Sequence, residues 1–314
     1  MIELTFLTKD QVCDDEKKLE IFKKYGTNAS ITDFSLLLGV GVTRDHTSES
    51  PYNHDLRLKD TRAADYWTKT IENDKVIAIS SYGLGFCGPK KINDREIGIR
   101  VSVNYQKIKN KIIDKRKINN ILEVDYGEYP QTIVDKKLQM KLENLYKEGN
   151  LKTTGKQYTV NSGEEDIIFQ TITEYEYKED KYIRFVADRN IIRTRLSNKK
   201  YMEYNKEYWI KVEPITWLVD ERENIAVTKK ILLSGIPYND KVTDNFEETI
   251  IYKFINYYLS KEIVPNNKTI KEIIQDMNLE ELQELKSFIE KQIKEVKVKS
   301  IGGMKWENLQ SKNK

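Results

Sequence analysis

The sequence predicts an α+β fold with a mixed, mostly antiparallel sheet and flanking helices. Short runs rich in β-branched and aromatic residues, such as 66–70, 75–83 and 97–105, are separated by Asn, Asp and Gly, which is the pattern of strands joined by turns. Other segments carry apolar residues at helical spacing. Short strands linked by tight turns pair in the antiparallel direction, because a tight turn cannot join parallel neighbours.

Three segments carry the clearest helical spacing, residues 14–25, 135–148 and 246–263. The first two are followed by a glycine, Gly26 and Gly149, which is the usual residue just beyond the end of a helix. Three further strand-like runs lie in the second half of the chain, at residues 169–180, 181–188 and 208–234.

The composition describes a soluble protein with a heavily charged surface. The chain has 314 residues, with 53 Lys and Arg against 50 Asp and Glu and a formal net charge of +3. This near balance argues against a dedicated nucleic-acid binder, which shows a clear basic excess. No apolar run is long enough to span a bilayer, and the N-terminus has no signal-peptide pattern. We therefore expect a cytoplasmic location and no membrane contact.

Two segments have alternative interpretations. Residues 105–117 carry six basic residues and one acid, and we interpret them as a solvated connector between two halves of the protein. The alternative is that this run contacts the phosphates of a nucleic acid. Residues 279–298 carry an apolar stripe at helical period, which predicts a helix packed on its own domain or, alternatively, a dimer contact.

The sequence lacks the motifs of the common enzyme classes. We therefore predict no enzymatic activity, no catalytic residues, no cofactor and no metal site. His46 and His54 stand beside aspartates, but no third ligand lies at a recognisable spacing, which favours two exposed loop histidines over a metal site. Cys13 and Cys87 match neither zinc spacing nor a disulfide framework. Cys87 is interpreted as a small buried residue, because a catalytic thiol needs a base.

Three stretches together resemble a known family. They are "VDYGEYPQ" at 124–131, the run 208–239 that begins "YWIKVEPITWLVD", and "FEETIIYKFINYYLSKEI" at 246–263. The set is similar to a bacterial family of unknown function with a C-type-lectin-like fold, akin to the formylglycine-generating-enzyme branch of that fold. The resemblance covers roughly residues 121–264. It implies that Tyr126, Tyr129 and Pro130 shape the opening turn of the domain. It also implies that Trp209 and Trp217, eight residues apart, are core anchors on one face of a strand.

The earlier strands resemble the part that closes the same domain, so the halves stand in swapped order. We therefore expect residues 1–117 to form the closing half with its basic connector, 118–265 the opening half, and 266–314 a helical extension. One composite domain, in which both halves complete a single sheet, is preferred to two partial domains, because neither half alone has enough strands to cover a core.

The resemblance implies a binding function through a loop-rich face. The matching stretch is 67–100, and its candidate ligand-binding residues are polar, charged or aromatic: Lys69, Glu72, Asn73, Asp74, Tyr82, Phe86, Lys90, Asn93 and Arg95. We expect a non-enzymatic recognition protein with a protein or other macromolecular partner. The alternative is an inhibitor, encoded by a phage or mobile element, that binds a host defence effector such as a CRISPR nuclease.

Two properties of relatives of this fold are not expected here. Calcium-dependent lectins read sugars through Glu-Pro-Asn or Gln-Pro-Asp together with Trp-Asn-Asp, whereas this chain has Glu213-Pro214-Ile215 and no Trp-Asn-Asp. The two cysteines do not match the motif of the formylglycine-generating enzymes, so their oxidase activity is not expected either.

Overall fold

The structure is a computed structural model that describes residues 2–44, 62–81, 87–161, 167–187 and 195–264, together with Gln283 and Lys286. The chain divides into two units, Met1–Val264 and Pro265–Lys314. Apart from two helical positions, the predicted extension 266–314 lies outside the described residues, and so does the dimer contact predicted for 279–298. The description below concerns the first unit.

The strands in the described part of the chain are mostly short. They are β1 (Ser30–Ile31), β2 (Val42–Arg44), β3 (Ala63–Ala64), β4 (Tyr66–Glu72), β5 (Lys75–Ile79), β6 (Cys87–Lys90), β7 (Ser102–Asn104), β8 (Asp114–Ile118), β9 (Ile121–Ile133), β10 (Lys152–Asn161), β11 (Phe169–Tyr177), β12 (Asp180–Val186), β13 (Glu207–Asp220), β14 (Ile225–Thr228) and β15 (Lys230–Ile231).

The described residues also form seven α-helices. They are α1 (Lys9–Cys13), α2 (Glu20–Tyr25), α3 (Asp33–Leu37), α4 (Tyr105–Ile108), α5 (Lys136–Lys147), α6 (Ile250–Phe254) and α7 (Ser260–Glu262), with a π-helical segment (Ile255–Leu259) joining the last two. The predicted helices 135–148 and 246–263 are therefore confirmed. The predicted helix 14–25 begins only at Glu20, because the Asp14 carboxylate accepts the backbone N–H groups of Glu16 and Lys17 in a turn.

The strands form three sheets. The largest has the order β10-β11-β12-β13-β14-β7, and β9 and β8 extend it from the other edge of β13. The smaller sheets have the orders β15-β1-β3-β2 and β4-β5-β6. Among the named strands only β1 and β15 pair in parallel. The predicted α+β class with mixed, mostly antiparallel sheets is confirmed.

The two halves lie in one compact unit, Met1–Val264, but their strands form three sheets and not the predicted single sheet. Of the strands before residue 105, only β7 joins the large sheet, on β14. Strands β4, β5 and β6 pair with one another instead. The reason is local: the two-residue turn at Asn73 and Asp74 makes β4 and β5 immediate antiparallel partners.

Three hairpins share the same turn chemistry. The two central residues have positive φ at Asn73–Asp74, Asn119–Asn120 and Lys178–Glu179. Positive φ at both central positions defines the type I′ turn, whose twist matches that of antiparallel strands, and Asn and Asp tolerate this conformation better than most residues. These turns fix the β4–β5, β8–β9 and β11–β12 pairs.

The stretch predicted as an opening turn is instead the middle of β9. Register shifts against β13 fall at Gln131 and at Tyr126–Gly127, so two bulges accommodate the glycine and Pro130 within the strand. At the first bulge the Gln131 side chain donates to two backbone carbonyls of β13. Gly127 has a φ of +73°, and a Cβ there would lie 2.4 Å from the carbonyl oxygen of Ile263.

Strand β13 is the shared element of the large sheet. One edge pairs with β9, while the other pairs with β12 near Trp209 and with β14 near Trp217. Both indoles are fully buried, as predicted. They belong to separate apolar clusters, however, Trp217 to the main core and Trp209 to a small cluster with Leu142 of α5. The predicted shared face is not kept, because the bulges interrupt the alternation of side chains.

The main core runs from Ile2 to Ile263. The N-terminal segment closes against the last helices, because the Asn256 side chain accepts from Leu4 N and donates to Leu4 O, both at 2.8 Å. Thr5 forms an antiparallel bridge with Ser102, the first residue of β7. The N-terminal segment is therefore joined both to the last helices of the unit and to the large sheet.

Candidate functional site

The basic run 105–117, predicted to be a solvated connector, has regular secondary structure. It forms α4, a 3₁₀ turn (Lys109–Lys111) and strand β8, which pairs with β9 through the Asn119–Asn120 turn. Its lysines are exposed: Lys107, Lys109, Lys111, Lys115 and Lys117. A row of exposed cations on an edge strand protects that edge from unwanted strand pairing, and it also offers a surface to anionic partners.

A cleft of about 530 Å³ lies between helix α2 and the β8–β9 hairpin, and we name it the α2–β8 cleft. Its floor is aliphatic and its walls are charged. The lining residues are Glu20, Ile21, Lys24, Lys115, Arg116, Lys117, Asn120, Ile121, Leu122, Val219, Asp220, Glu221 and Arg222. These residues come from three distant parts of the sequence, so the cleft exists only in the folded chain.

Asp220 connects two walls of the cleft. Its carboxylate accepts the backbone N–H of Glu20, at the start of α2, at 2.8 Å. It also accepts the N–H groups of Arg222 and Glu223 at 3.2 and 3.3 Å, which shapes the turn between β13 and β14. The position of α2 and the position of Arg222 are therefore fixed by the same buried side chain.

Arg116 is committed to the structure of β8. Its guanidinium makes a bidentate ion pair with Asp125 of β9, at 2.7 and 3.0 Å, and also contacts Thr216 and Glu123. Burial alone would raise the pKa of Asp125, but the hydrogen bonds from Arg116 and Thr216 outweigh it and lower that pKa. The carboxylate stays ionised, and the pair holds β8 on the sheet.

Three cations of the cleft, Lys115, Lys117 and Arg222, form no ion pair or side-chain hydrogen bond with the described residues, and we call them uncommitted. Side chains alternate along a strand, so Lys115 and Lys117 point away from the face that holds Arg116. Neither lysine, nor the exposed Arg222, has a side-chain hydrogen bond or ion pair with any residue that the structure describes. The cleft therefore presents positive charge that no described side chain neutralises, above an aliphatic floor.

Those residues of the predicted ligand-binding set that the structure describes lie on and around the β4–β6 sheet. Asn73 and Asp74 form the β4–β5 turn and so have a structural role. Lys69 is part of β4 and Lys90 of β6, where the Lys90 ammonium forms an ion pair with Asp65 at 2.7 Å.

The remaining predicted residues are placed only in part. Asn93 and Arg95 lie between β6 and β7, where Asn93 is exposed. Tyr82 and Phe86, the aromatic members of the predicted face, lie outside the described residues. Of the predicted set, the side chains seen here are thus polar or charged, and they line neither of the two clefts described in this subsection.

A second, smaller cleft of about 290 Å³ lies on β11 and β12 beside α5. Arg184 lies 4.7 Å from the centre of the Tyr146 ring there and pairs with Glu143. Burial would raise the pKa of Glu143, but hydrogen bonds from Arg184 and Trp209 lower it to about 2. The one cation of this cleft is therefore already neutralised, which makes it the weaker candidate.

A buried polar cluster lies where α7 meets β10 and β11. Tyr158 donates a short hydrogen bond to Glu174, and the Glu262 carboxylate accepts the N–H of Thr159 at 2.7 Å. Burial raises the pKa of Glu262 to about 7, against the opposing effects of that N–H and of Lys156. Burial also lowers the pKa of Lys156. The cluster joins secondary-structure elements and is closed to large ligands.

No group of three or more His, Cys, Asp or Glu side chains in the described part of the chain could hold a metal ion. His46 and His54 lie outside that part. No helix among the described residues is long and apolar enough to cross a membrane.

Comparison of the chain with family models, with curated proteins and with solved structures finds no match.

The basic run was the one sequence signal that pointed to the α2–β8 cleft. The contributions of Ile21 and Arg222 had no such signal, because they depend on contacts between distant segments.

Proposed function

We propose that this chain is a non-enzymatic recognition protein that binds an acidic, partly apolar surface of a protein partner in the α2–β8 cleft. The observation that carries the proposal is the set of uncommitted cations, Lys115, Lys117 and Arg222, above an aliphatic floor. Charge complementarity supplies orientation and a fast encounter, and apolar contact supplies affinity. The lining side chains offer charge and apolar surface rather than a nucleophile with its base.

A protein partner fits better than a nucleic acid. Glu20, Asp220 and Glu221 line the same cleft as the cations, and a continuous phosphate backbone would meet repulsion from them. A protein surface can place a carboxylate opposite each cation of the cleft. It can also place an apolar group or a hydrogen-bond donor opposite the other lining residues. The near-zero net charge of the chain points the same way.

The test is selection from a random-peptide library on the full-length protein, followed by affinity measurement by fluorescence anisotropy. We expect enriched peptides to combine Asp or Glu with apolar residues. The triple variant Lys115→Ala, Lys117→Ala, Arg222→Ala should bind them at least roughly tenfold more weakly, because each lost charge pair contributes on the order of 0.5–1 kcal/mol.

The matched control removes the same charge elsewhere. The variant Lys136→Ala, Lys137→Ala, Lys141→Ala replaces three exposed lysines of α5 and should bind as the wild type does. Equal weakening in both variants would mean that only net charge matters and would contradict the proposal. Loss of binding in Lys69→Ala, Asn93→Ala, Arg95→Ala, with the cleft variant unaffected, would move the site to the 67–100 face. Tight binding of RNA or duplex DNA, with no peptide enriched, would replace the protein partner by a nucleic acid.

A further inference from the structure

Strands β11 and β12 begin as a regular hairpin and then part. From their connecting turn they pair with each other as far as Glu174 and Ile183, where the pairing ends. Both strands continue beyond this point, but among the described residues β11 then pairs only with β10, and β12 only with β13. The smaller cleft, of about 290 Å³, is lined by these continuations, residues 170–173 and 184–186. We name it the β11–β12 gap.

The alternation of the strand backbone shows which groups face the gap. The connecting turn has two residues, and such a turn is closed by a hydrogen bond between the residues that flank it. From there every second residue directs its N–H and C=O across the hairpin, which places those of Thr171 and Val186 in the gap. Contacts on the far side of β12 agree: Ala187 donates to Lys206 O and accepts from Asn205 N, so its neighbour Val186 faces the opposite way.

The gap is held open from both sides. On the β11 side, Phe169 pairs with Asn161 of β10, whose amide donates to the Gly235 carbonyl at 2.8 Å. On the β12 side, the strand is paired to β13, and the Phe185 ring packs edge-on against Phe34 with ring centres 5.7 Å apart. Neither strand can approach the other without loss of these contacts.

The side chains around the gap favour an uncharged occupant. Ile172 and Phe185 belong to the main core and are buried, so a side chain that points inward between them must be small and apolar. On the outer face, Thr173 offers a hydroxyl, and the charge of Arg184 is already paired with Glu143 at 3.1 Å. Alternating valine-like and threonine-like residues match these two faces.

We propose that the β11–β12 gap is a second binding site, which takes an extended, uncharged peptide segment of a partner protein as an inserted strand. Backbone donors and acceptors on both walls are complementary to an extended backbone, which carries the same groups at the same spacing. Because β11 and β12 are antiparallel, the inserted strand runs parallel to one and antiparallel to the other. The site does not depend on the function proposed for the α2–β8 cleft, whose cations favour acidic partners.

Insertion between two strands differs from addition to one edge in the peptide groups that it uses. A strand with neighbours on both sides donates the N–H groups of successive residues alternately to one neighbour and to the other. A strand on a single edge uses only every second N–H. Removing the N–H of either of two consecutive central residues of the peptide should therefore weaken binding only if the peptide is inserted.

The experiment uses a random-heptapeptide library, selected on the full-length protein that carries Lys115→Ala, Lys117→Ala and Arg222→Ala. These substitutions remove the cations of the α2–β8 cleft, so peptides that need that cleft are not enriched. We expect enriched peptides to be rich in Val, Ile and Thr and poor in Asp and Glu. The best peptide is then synthesised with an N-methyl group on each of two consecutive central residues in turn. Each N-methylated form should bind at least about tenfold more weakly in fluorescence anisotropy.

Substitutions at one position separate the backbone from the side chain. Thr171→Pro removes a donor that faces the gap and no hydrogen bond of the β10–β11 pair, so it should lose binding at least about tenfold. Thr171→Val keeps the backbone donor and should bind as the wild type does. Hydrogen exchange keeps the test valid if the proline variant fails to fold. The amides of Thr171 and Val186 should exchange fast in the free protein and slowly with the peptide bound.

Four results would overturn the proposal. They are a selection that enriches no peptide, binding that survives N-methylation at one of the two consecutive residues, and enriched peptides that are mainly acidic. The fourth is slow exchange of the Thr171 and Val186 amides in the free protein, which would mean that the gap is already filled. If that slow exchange appeared only at concentrations at which the protein dimerises, the occupant would be a second copy of this chain and not a partner protein.

Discussion

Asp33 illustrates at the scale of one residue how a buried carboxylate organises distant segments. One of its oxygens accepts from the Arg62 guanidinium at 2.6 Å and from the N–H of Ser197 at 2.8 Å. The other accepts from the N–H of Ile133 at 3.0 Å and from the Ser197 hydroxyl. Each lone pair is used, so the buried charge is compensated by the fold and serves to hold β9, Arg62 and Ser197 together.

Glu262 is a buried carboxylate with weaker compensation. One of its oxygens accepts from Thr159, while the other has no hydrogen-bond partner among the described residues. Its pKa in the folded protein, about 7, lies above the ordinary value of 4.5. The folded state therefore holds the proton more tightly, and this contribution to stability is full below about pH 4.5 and is lost as the pH rises through about 7.

We expect Glu262→Gln to flatten the pH dependence of stability. A shift of this size corresponds to about 3 kcal/mol, lost by the wild type between roughly pH 5 and pH 8. The neutral amide keeps an oxygen for the Thr159 N–H and has no charge to bury. Urea unfolding at a series of pH values measures the slope. The exposed Glu148→Gln should keep the wild-type slope, and an unchanged slope in Glu262→Gln would show that the carboxylate is not the titrating group.

At the scale of elements, β9 depends on Gly127 for two reasons. The residue needs a positive φ at the bulge, and the backbone of Ile263 approaches it too closely for a side chain. The N–H of Glu128 also donates to the Ile263 carbonyl at 2.8 Å, so the strand and the end of α7 are joined at this point.

Gly127→Ala should therefore lower the free energy of unfolding by more than about 2 kcal/mol, because the new methyl group meets a backbone oxygen that cannot move aside. Gly149→Ala is a matched control, since Gly149 has a φ of +71° but open space where the Cβ would lie. It should lose only about 1 kcal/mol, the cost of the left-handed conformation. Equal losses in urea titrations would mean that the close approach has no effect.

The same elements show what the sequence could and could not predict. The hairpins at Asn73–Asp74 and Lys178–Glu179, and helix α5 with Gly149 after it, follow from local chemistry and were predicted. β9 was missed because its bulges make sense only against β13. For the α2–β8 cleft, the exposure of the basic run was predicted. The placing of β8 and α2 beside one cleft depends on packing between distant segments and was not predicted.

At the scale of the whole molecule, the first unit, Met1–Val264, is closed by contacts between its two ends. Asn256 satisfies both backbone groups of Leu4, and Ser260 and Tyr252 bond to neighbours on the same helical stretch. Contacts of such large sequence separation form late in folding, because loop closure precedes any gain from them. The attachment of the N-terminal segment to the last helices should therefore depend strongly on the side chain of Asn256.

Asn256→Ala should lower the free energy of unfolding by about 2 kcal/mol, because two hydrogen bonds to the Leu4 backbone are lost at once. Hydrogen exchange should report faster exchange at the Leu4 amide than in the wild type. Asn150→Ala, which removes a single exposed hydrogen bond, is the control and should change neither quantity. Unchanged protection at Leu4 would show that the N-terminal segment is held by its apolar side chains alone.

The hydrogen bonds between Leu4 and Asn256 bring the two ends of the first unit together. The fold should therefore not depend on the position at which the chain begins. A circular permutant could start in the exposed turn near residue 110, run to Lys314 and continue at Ile2, with the 50 residues from Pro265 to Lys314 as the bridge. Such a permutant should unfold in urea with nearly the wild-type midpoint. The same three-dimensional protein could then be encoded with either half first.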